Sequence, residues 1–240
     1  MKIPVLIPNI FNHPFTYETD SKLDTGEYVV VPFGKSKMIG VVWDHFEKIQ
    51  KKKFLTKKIF KKLNIRPLNI GTIKFLNWFS EYNLIPKGMS LKLHMLSSEA
   101  IEKLNDKEYE IYNILLDCKK FYLNKEQQNV FNDLYSNSQR FKVHLLQGTT
   151  GSGKTIVYFN LVKKKIELGY QGLILLPEIG LTSEFEEKFK EYFGFAPAIW
   201  HSAISKKRKK IIWSGLSSGK IKVVIGARSA LFLPFKNLGI

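Results

Sequence analysis

Eight consecutive residues, 148–155, have the types and the spacing that suit them to hold the phosphates of a nucleotide. They read Gly-Thr-Thr-Gly-Ser-Gly-Lys-Thr and match the pattern G-x-x-x-x-G-K-[ST]. Glycines let such a loop wrap its backbone N–H groups around phosphates, because a Cβ atom would obstruct the close approach. The lysine adds a positive charge for the β- and γ-phosphates, and the last hydroxyl can ligate Mg²⁺. The candidate nucleotide-binding residues are Gly148, Thr149, Thr150, Gly151, Ser152, Gly153, Lys154 and Thr155, with Lys154 and Thr155 as catalytic candidates.

The residues on either side of this loop have the patterns of a strand and a helix that would position it. An apolar run over 141–147 predicts a strand at 142–146, and an amphipathic run predicts a helix over 154–168. A helix that starts at the lysine directs its free N–H groups and the positive end of its dipole towards the phosphates. The alternative is a glycine-rich turn with an incidental lysine, and the strand–loop–helix context argues against it.

Strand and helix patterns alternate through the rest of the C-terminal half, which is typical of a parallel α/β sheet. Further strands are predicted at 172–176, 196–200 and 222–226, and further helices at about 183–193 and 205–217. Ser183 and Glu186 form a capping box for the second helix, and Gly194 is suited to end it. The last four residues have the pattern of the approach to a fifth strand.

The N-terminal part has a different pattern and predicts a small β-rich domain over residues 1–96. The β-branched and aromatic runs 27–33 and 38–43, joined by residues 34–37, predict a hairpin. Apolar residues at three- and four-residue spacing predict a helix over 70–84. Residues 97–121 are expected to form a helical linker, and 122–240 the parallel-sheet lobe. The expected fold class is therefore α/β, with a β-rich domain followed by an incomplete P-loop lobe.

Composition favours a polyanionic partner. The chain of 240 residues has a formal net charge of +17 and 13% aromatic residues, a combination suited to nucleic acid, although a lysine-rich genome can produce the same charge. The lysine-rich stretch 51–62 is either a solvated surface or a phosphate contact. Cys118 is the one cysteine, which excludes an internal disulfide and a cysteine-based zinc site and favours a reducing compartment. We expect a soluble, cytoplasmic protein without a signal peptide, a membrane span or a membrane partner.

Several blocks of the sequence, in order, resemble the PriA family of primosomal replication-restart helicases (primosomal protein N′), which belongs to DNA helicase superfamily 2. Most specific are Pro-Glu-Ile-Gly-Leu-Thr at 177–182 and Gly-Ala-Arg-Ser at 226–229, which stand beside the phosphate-binding loop. The other matching blocks are 31–35, 39–42, 123–127, 201–202, 230–232 and 234–239. The phosphate-binding loop alone would indicate only a nucleoside triphosphatase.

The resemblance implies an ATP- and Mg²⁺-dependent 3′-to-5′ DNA helicase acting at branched or single-stranded DNA. It makes residues 1–96 a DNA 3′-end-binding domain and 122–240 most of the first RecA-like lobe, and it implies other primosome proteins and single-strand-binding protein as partners. Gln127 matches the position that reads the adenine edge; read alone, it is a surface glutamine near a helix start. The implied DNA contacts are Phe15, Thr16, Tyr17, Lys35, Pro177, Glu178, Arg228 and Ser229. Without the resemblance, Glu178 is a residue before a helix, Arg228 is a surface cation, and 206–210 is either a DNA contact or a solvated helix face.

The sequence also departs from the pattern of this family. Thr16 stands where the family usually has an acidic residue that helps to recognise a DNA 3′ terminus, and a threonine carries no charge. The linker is too short for the winged-helix domain that the family inserts. The acidic Asp-Glu-Glu-His motif, the second lobe with its arginine finger and the cysteine-rich zinc module are not among these 240 residues. We therefore expect a truncated chain that binds ATP but has negligible hydrolysis and no unwinding by itself.

Two other functions stay open at this point. The chain could be a DNA-binding module without catalysis, in which the phosphate-binding loop is vestigial. It could also be a P-loop kinase of a small acceptor, although no acceptor-binding residues stand out after Lys154. Binding of a fluorescent ATP analogue, and a screen for phosphate transfer to small molecules, would separate these alternatives.

Overall fold

The computed structural model describes residues 1–44, 56–95, 108–109, 112, 121–136, 141–177 and 183–240. The chain divides into two compact units that alternate along the sequence. The first unit contains Met1–Asn105, Ile204–Ser218 and Leu231–Pro234; the second contains Asp106–Ala203, Gly219–Ala230 and Phe235–Ile240. The predicted linker lies almost entirely outside the described residues, and the domain ranges 1–96, 97–121 and 122–240 stay predictions.

The first unit is built on a sheet with six strands among the described residues, in the order β5-β2-β1-β4-β3-β6. The strands are β1 (Lys2–Leu6), β2 (Phe15–Glu18), β3 (Tyr28–Phe33), β4 (Ser36–Val42), β5 (Lys57–Lys58) and β6 (Lys61–Lys62). All pairs are antiparallel except the short pair β2·β5. Alternating side chains such as Val5, Val29 and Val31 fill one buried core. The predicted hairpin is confirmed, since β3 and β4 pair from Phe33↔Ser36 to Tyr28↔Val41.

Two consecutive helices follow this sheet in the first unit. Helix α1 (Ile70–Tyr82) begins at Asn69, whose side chain accepts a hydrogen bond from the backbone N–H of Thr72 at 2.8 Å. Helix α2 (Lys87–His94) follows Pro86, whose fixed φ suits the start of a helix. The predicted helix over 70–84 is confirmed, with an end two residues earlier than expected.

The second unit contains a parallel sheet with the described strands in the order β7-β9-β8. Its strands are β7 (Gly172–Leu175), β8 (Ala198–Trp200) and β9 (Val223–Gly226), and its helices are α3 (Lys125–Ser136), α4 (Lys154–Glu167) and α5 (Ser183–Phe193). An aromatic core around Phe159, Phe189 and Tyr192 packs α4 and α5 against the sheet. Gly194 ends α5 as predicted, with φ +72° and its N–H donating to Lys190 at 2.9 Å.

The last residues of the chain lie beside β7. Gln171 and Leu238 form a parallel bridge, and the backbone N–H of Leu173 donates to the carbonyl of Ile240 at 2.9 Å. The side chain of Gln171 adds hydrogen bonds to the N–H groups of Lys236 and Asn237 at 2.7 and 3.0 Å. The residues predicted to approach a further strand thus form one parallel bridge beside β7 and no strand of their own.

The predicted strand at 142–146 is wrong. Residues 141–147 have no regular structure, and Phe141, Val143 and Leu145 are 94%, 85% and 91% exposed. An extended segment becomes a strand only beside a partner that satisfies its backbone N–H and C=O groups. In the described part of the chain, residues 141–147 pair with none of the three strands of this parallel sheet, and an apolar pattern alone does not make a strand.

Helix α6 (Lys206–Ser218) and residues 231–234 belong to the first unit, although their sequence neighbours belong to the second. The helix predicted over 205–217 is confirmed in its bounds to within one residue. Its apolar face, with Ile212, Trp213 and Leu216, is buried. Among the described residues no helix is both long and apolar enough to cross a membrane.

Candidate functional site

The phosphate-binding loop leads directly into α4. Gly151 and Gly153 have φ values of +83° and +81°, a backbone region that suits glycine. A Cβ atom on Gly153 would lie 2.3 Å from Nε2 of Gln127, so a side chain there would displace the glutamine from the loop. Gly153 is the N-cap of α4, and the helix begins at Lys154 as predicted. The free N–H groups of the first helical turn therefore follow the loop, as anion binding requires.

The side chain of Lys154 folds back over the loop that precedes it. Its Nζ donates to the carbonyl oxygens of Gly148 and Thr149, both at 2.7 Å. Both acceptors are neutral, and a charge-assisted bond to a phosphate oxygen is stronger. From this position the ammonium group can exchange the two carbonyls for the oxygens of a bound triphosphate.

Gln127 lies against the loop and is not a detached surface residue. Gln127 and Asn124 form two hydrogen bonds with each other. The backbone N–H of Gln127 donates to the Asn124 side chain at 2.8 Å, and the backbone N–H of Asn124 donates to the Gln127 side chain at 3.0 Å. Its amide nitrogen donates to the carbonyl of Ser152 at 3.1 Å. These bonds hold one amide, which is both a donor and an acceptor, beside the phosphate loop.

Thr155 stands in the first turn of α4 with its side chain half-buried. Mg²⁺ prefers oxygen ligands and usually keeps several waters, so one protein hydroxyl together with phosphate oxygens suits it. Among the described residues no group of three or more His, Cys, Asp or Glu side chains could hold a metal ion. The Thr155 hydroxyl supplies an oxygen of the kind that Mg²⁺ binds, next to the phosphate-binding loop.

Tyr158 is a residue that the sequence analysis missed. It lies three residues after Thr155, which places the two side chains on the same face of the helix. Burial raises the pKa of the Tyr158 hydroxyl, and a hydrogen bond with Thr155 opposes that shift. The i, i+3 spacing from the loop threonine is the signal that could have identified it.

The second group of predicted contacts follows two of the parallel strands, β7 and β9. Leu175 of β7 and Trp200 of β8 are both in register with Gly226 of β9, so the carboxyl ends of the strands lie level with one another. Pro177, His201 and Arg228 come one or two residues after these ends, at the edge where open α/β sheets bind ligands. Pro177, Arg228 and Ser229 are exposed, whereas Glu178 lies outside the described residues.

Gly226 lets the chain turn sharply before Arg228. A Cβ atom there would lie 2.8 Å from the carbonyl oxygen of Trp200 and 2.8 Å from Cβ of Ala230. After this close crossing, Arg228–Phe232 forms a 3₁₀ turn. The Gly-Ala-Arg-Ser block therefore combines a required glycine with two exposed polar side chains.

The predicted DNA-end residues lie on β2, next to an aromatic cluster. The Phe15 ring is 5.1 Å from the Phe11 ring, 5.4 Å from the Phe33 ring and 5.0 Å from the His13 ring, and all four are half-buried. We call these four rings the β2 aromatic cluster. Of these four rings, only Phe15 was predicted from the sequence to contact DNA; the close spacing of residues 11, 13 and 15 was the available signal for the others nearby. Such rings can stack on nucleic-acid bases.

The two neighbours of Phe15 on β2 are placed differently. Tyr17 is buried, which raises the pKa of its hydroxyl, and that hydroxyl donates to the carbonyl of Pro32 at 3.1 Å. Thr16 is half-buried and points to the opposite face of the sheet from Phe15 and Tyr17. Phe15 is therefore the member of the three that lies in the aromatic cluster.

The lysine-rich stretch contributes cations near β2. Lys57 is the register partner of Tyr17, while Lys35 is exposed at the tip of the β3–β4 hairpin. Two other lysines of the stretch pair with carboxylates: Lys58 with Asp20 at 3.3 Å and Lys62 with Glu27. The described part of the stretch thus forms strand pairs, and residues 51–55 lie outside the described residues.

Comparisons with known proteins match both parts of the chain. Residues 4–95 match the family described as 3′DNA-binding domain (3′BD), and residues 124–238 match DEAD/DEAH box helicase. The replication restart protein PriA of Rickettsia conorii is 36% identical over 241 residues, covering 100% of this chain and 36% of the relative. The protein of the same name from Helicobacter pylori is 31% identical over 228 residues, covering 95% of this chain and 34% of the relative. The chain thus spans about a third of the length of these relatives.

Proposed function

We propose, since the chain belongs to the family of the replication restart protein PriA, that it supplies the ATP-binding and DNA-binding parts of an ATP-dependent 3′-to-5′ helicase acting at branched or single-stranded DNA. The main support for this proposal is the loop 148–153. It leads directly into α4 at Lys154, and Gln127 is hydrogen-bonded to the loop. The match to a DNA 3′-end-binding family over residues 4–95 supports DNA as the partner.

ATP with Mg²⁺ would bind at this loop and supply the free energy for movement along the strand. The backbone N–H groups of the loop and of the first turn of α4 would hold the phosphates, and Lys154 would neutralise their charge. Thr155 would ligate the metal, and Gln127 would present its amide to the adenine edge. The spacing of these residues supports each role.

DNA would be bound by two groups of residues. Pro177, Arg228 and Ser229 follow adjacent parallel strands and would hold the backbone of one unpaired strand, with Glu178 in the same role. The β2 aromatic cluster would stack on a base near a 3′ end, with Lys57 next to β2 as a cation for its phosphate. Because Thr16 is uncharged, we infer that discrimination for a free 3′ hydroxyl is weak.

Hydrolysis and unwinding would need groups beyond the ATP-binding half-site. Phosphoryl transfer requires charge around the γ-phosphate, and an arginine finger alone is worth about 10³–10⁵ in rate. The acidic tetrad and the arginine finger implied by the family resemblance are not among these 240 residues. We therefore propose that this chain alone binds ATP and DNA in the cytoplasm without significant turnover, and that primosome proteins and single-strand-binding protein are partners of the complete helicase.

Titration with a fluorescent ATP analogue tests the nucleotide-binding part of this proposal. Saturable, Mg²⁺-dependent binding that is lost in Lys154→Ala is expected. Lys163→Ala is the matched control, because Lys163 is an exposed lysine of the same helix and should leave binding unchanged. DNA binding without any ATP binding would instead favour a DNA-binding module with a vestigial loop, and phosphate transfer to a small molecule would favour a kinase.

A further inference from the structure

His94, the last residue of α2, makes three hydrogen bonds inside the first unit. Its Nδ1 lies 2.7 Å from the carbonyl oxygen of Phe232, and its Nε2 lies 2.8 Å from the hydroxyl of Tyr28. Its backbone carbonyl accepts from the indole N–H of Trp213 at 3.0 Å. His94, Tyr28 and Trp213 are each 1% exposed. We call His94, Phe232, Tyr28 and Trp213 the His94 cluster. None of the four belongs to the candidate nucleotide-binding residues.

The partners of the imidazole select one tautomer. A carbonyl oxygen can only accept, so Nδ1 carries the proton and donates to Phe232. In a neutral ring Nε2 is then the acceptor, and the Tyr28 hydroxyl donates to it. Burial lowers the pKa of His94 to about 4, although the bond to the Phe232 carbonyl opposes the shift, so the ring is neutral near pH 7. Each polar group of the ring is satisfied in this single arrangement.

Phe232 is held at both its main chain and its side chain. Its carbonyl is bound by His94, and its ring packs against Phe75 and Phe79 of α1 at 5.4 and 4.8 Å. Phe232 is also the last residue of the 3₁₀ turn that begins at Arg228. A turn of five residues is short, so fixing its final carbonyl restricts the positions available to its first two side chains.

We propose that His94 is a positioning residue for nucleic-acid binding, because by holding the carbonyl of Phe232 it sets the turn from which Arg228 and Ser229 reach the phosphate backbone of an unpaired strand. This inference rests on the proposed function, since it takes the turn to be a DNA contact. His94 itself does not touch the DNA. Loss of the bond between His94 and Phe232 frees the end of the turn and weakens DNA binding, while ATP binding at the loop stays unchanged.

Two substitutions of His94 by amide residues distinguish a role in positioning the turn from a role in core packing alone. In His94→Asn the amide nitrogen can take the place of Nδ1 and still donate to Phe232, whereas in His94→Gln the amide extends towards the place of Nε2. Glutamine is the closer match to histidine in size, so a purely structural role predicts that it is tolerated better. The positioning role predicts the opposite order, with the affinity for a fluorescein-labelled oligothymidylate kept in His94→Asn and reduced about fivefold in His94→Gln.

A double-mutant cycle with Arg228→Ala connects His94 to the turn. Arg228→Ala should weaken oligothymidylate binding by itself, and His94→Gln should add little in that background, because the side chain that it positions is gone. Full additivity of the two losses would overturn the inference, and so would oligothymidylate binding that is insensitive to Arg228→Ala. Binding of the fluorescent ATP analogue is measured in parallel and should not change.

Tyr28→Phe keeps the test informative if His94→Gln does not fold. It removes the hydroxyl that donates to Nε2 and leaves the packing in place. Ring nitrogen–proton correlations by NMR should show the Nδ1–H form of His94 in the unsubstituted chain and a changed tautomer population in Tyr28→Phe, with a parallel loss of DNA affinity. An Nε2–H tautomer of His94 in the unsubstituted chain refutes this inference and leaves the proposed function standing. An unsubstituted chain that binds neither ATP nor DNA refutes the proposed function.

Discussion

The side-chain amide of Gln127 donates to the carbonyl oxygen of Ser152 at 3.1 Å, so α3 contacts the phosphate-binding loop directly. The same side chain accepts from the backbone N–H of Asn124. After these two bonds the amide still has one N–H donor and one acceptor lone pair. That remaining pair matches the adjacent donor and acceptor on the edge of adenine.

Gln127→Ala should reduce ATP affinity about tenfold, the equivalent of one or two hydrogen bonds, and should reduce GTP affinity less. This expectation follows from the proposed role of the Gln127 amide at the adenine edge, since the substitution leaves the proposed phosphate contacts in place. Competition of unlabelled ATP and GTP against a fluorescent ATP analogue measures both affinities.

Gln128→Ala is the control for this substitution. Gln128 is the next residue of α3, and its amide bonds Asn132 of its own helix at 2.9 Å. It should leave both affinities unchanged. Equal losses of ATP and GTP in Gln127→Ala would contradict the assignment of a base-reading role.

Gly153→Ala should abolish nucleotide binding. A side chain at this position combines a φ of +81° with a contact of 2.3 Å to Nε2 of Gln127, so the glutamine side chain must leave its place beside the loop and the backbone is strained. Gly169→Ala is a matched control, since Gly169 has a φ of +84°, has nothing within 4 Å of its Cβ position and lies beyond the other end of α4. It should cost about 1 kcal/mol of stability, as a left-handed alanine does, and leave ATP binding intact. Isothermal titration and thermal unfolding of both variants distinguish the steric effect from backbone strain.

Local patterns predicted those parts of the structure whose causes are local. The hairpin between Phe33 and Ser36, the start of α4 at Lys154 and the end of α5 at Gly194 follow from turn residues, glycines and helical spacing. The strand at 142–146 was wrong because an apolar pattern does not reveal whether a partner strand is available.

Contacts between distant residues could not be predicted in this way. The bond between His94 and Phe232 joins residues 138 positions apart, and periodicity contains no information about such pairs. The same holds for Gln127 and Ser152, which are 25 positions apart; the family resemblance indicated the role of Gln127, but its contact with the loop became visible only in the structure. The β2 aromatic cluster was partly visible, because Phe11, His13 and Phe15 are close in sequence, whereas Phe33 joins them through the sheet.

Phe15→Ala should weaken binding of DNA with an accessible 3′ end by about tenfold, because stacking of one base on an aromatic ring contributes about 1–3 kcal/mol. Fluorescence anisotropy with a labelled recessed-end duplex measures the loss. Tyr17→Phe is the control: its hydroxyl bonds Pro32 inside the first unit, so its removal should lower stability by about 1 kcal/mol and leave DNA affinity unchanged. A loss of DNA affinity in Tyr17→Phe equal to that in Phe15→Ala would place the DNA contact elsewhere.

The buried His94 should make stability depend on pH in a defined window. Its pKa is lowered to about 4 in the folded chain, below the ordinary value of 6.5, because burial disfavours the charged ring. Between these two values the unfolded chain binds one more proton than the folded chain. Stability should therefore fall as the pH decreases from about 6.5 to about 4, by up to about 3 kcal/mol in total.

Thermal unfolding of the unsubstituted chain and of His94→Asn from pH 7.5 to pH 4 isolates this effect, because the asparagine does not titrate. The groups that face the imidazole do not titrate in this range either: Trp213 and the Phe232 carbonyl are not ionisable, and burial raises the pKa of Tyr28 further above its ordinary value. Carboxylates elsewhere affect both proteins equally and cancel in the difference. As the pH falls below about 6.5, the unfolding free energy of the unsubstituted chain should therefore decrease relative to that of His94→Asn. A difference that stays constant from pH 7.5 to pH 4 would show that His94 is not held neutral in the folded chain.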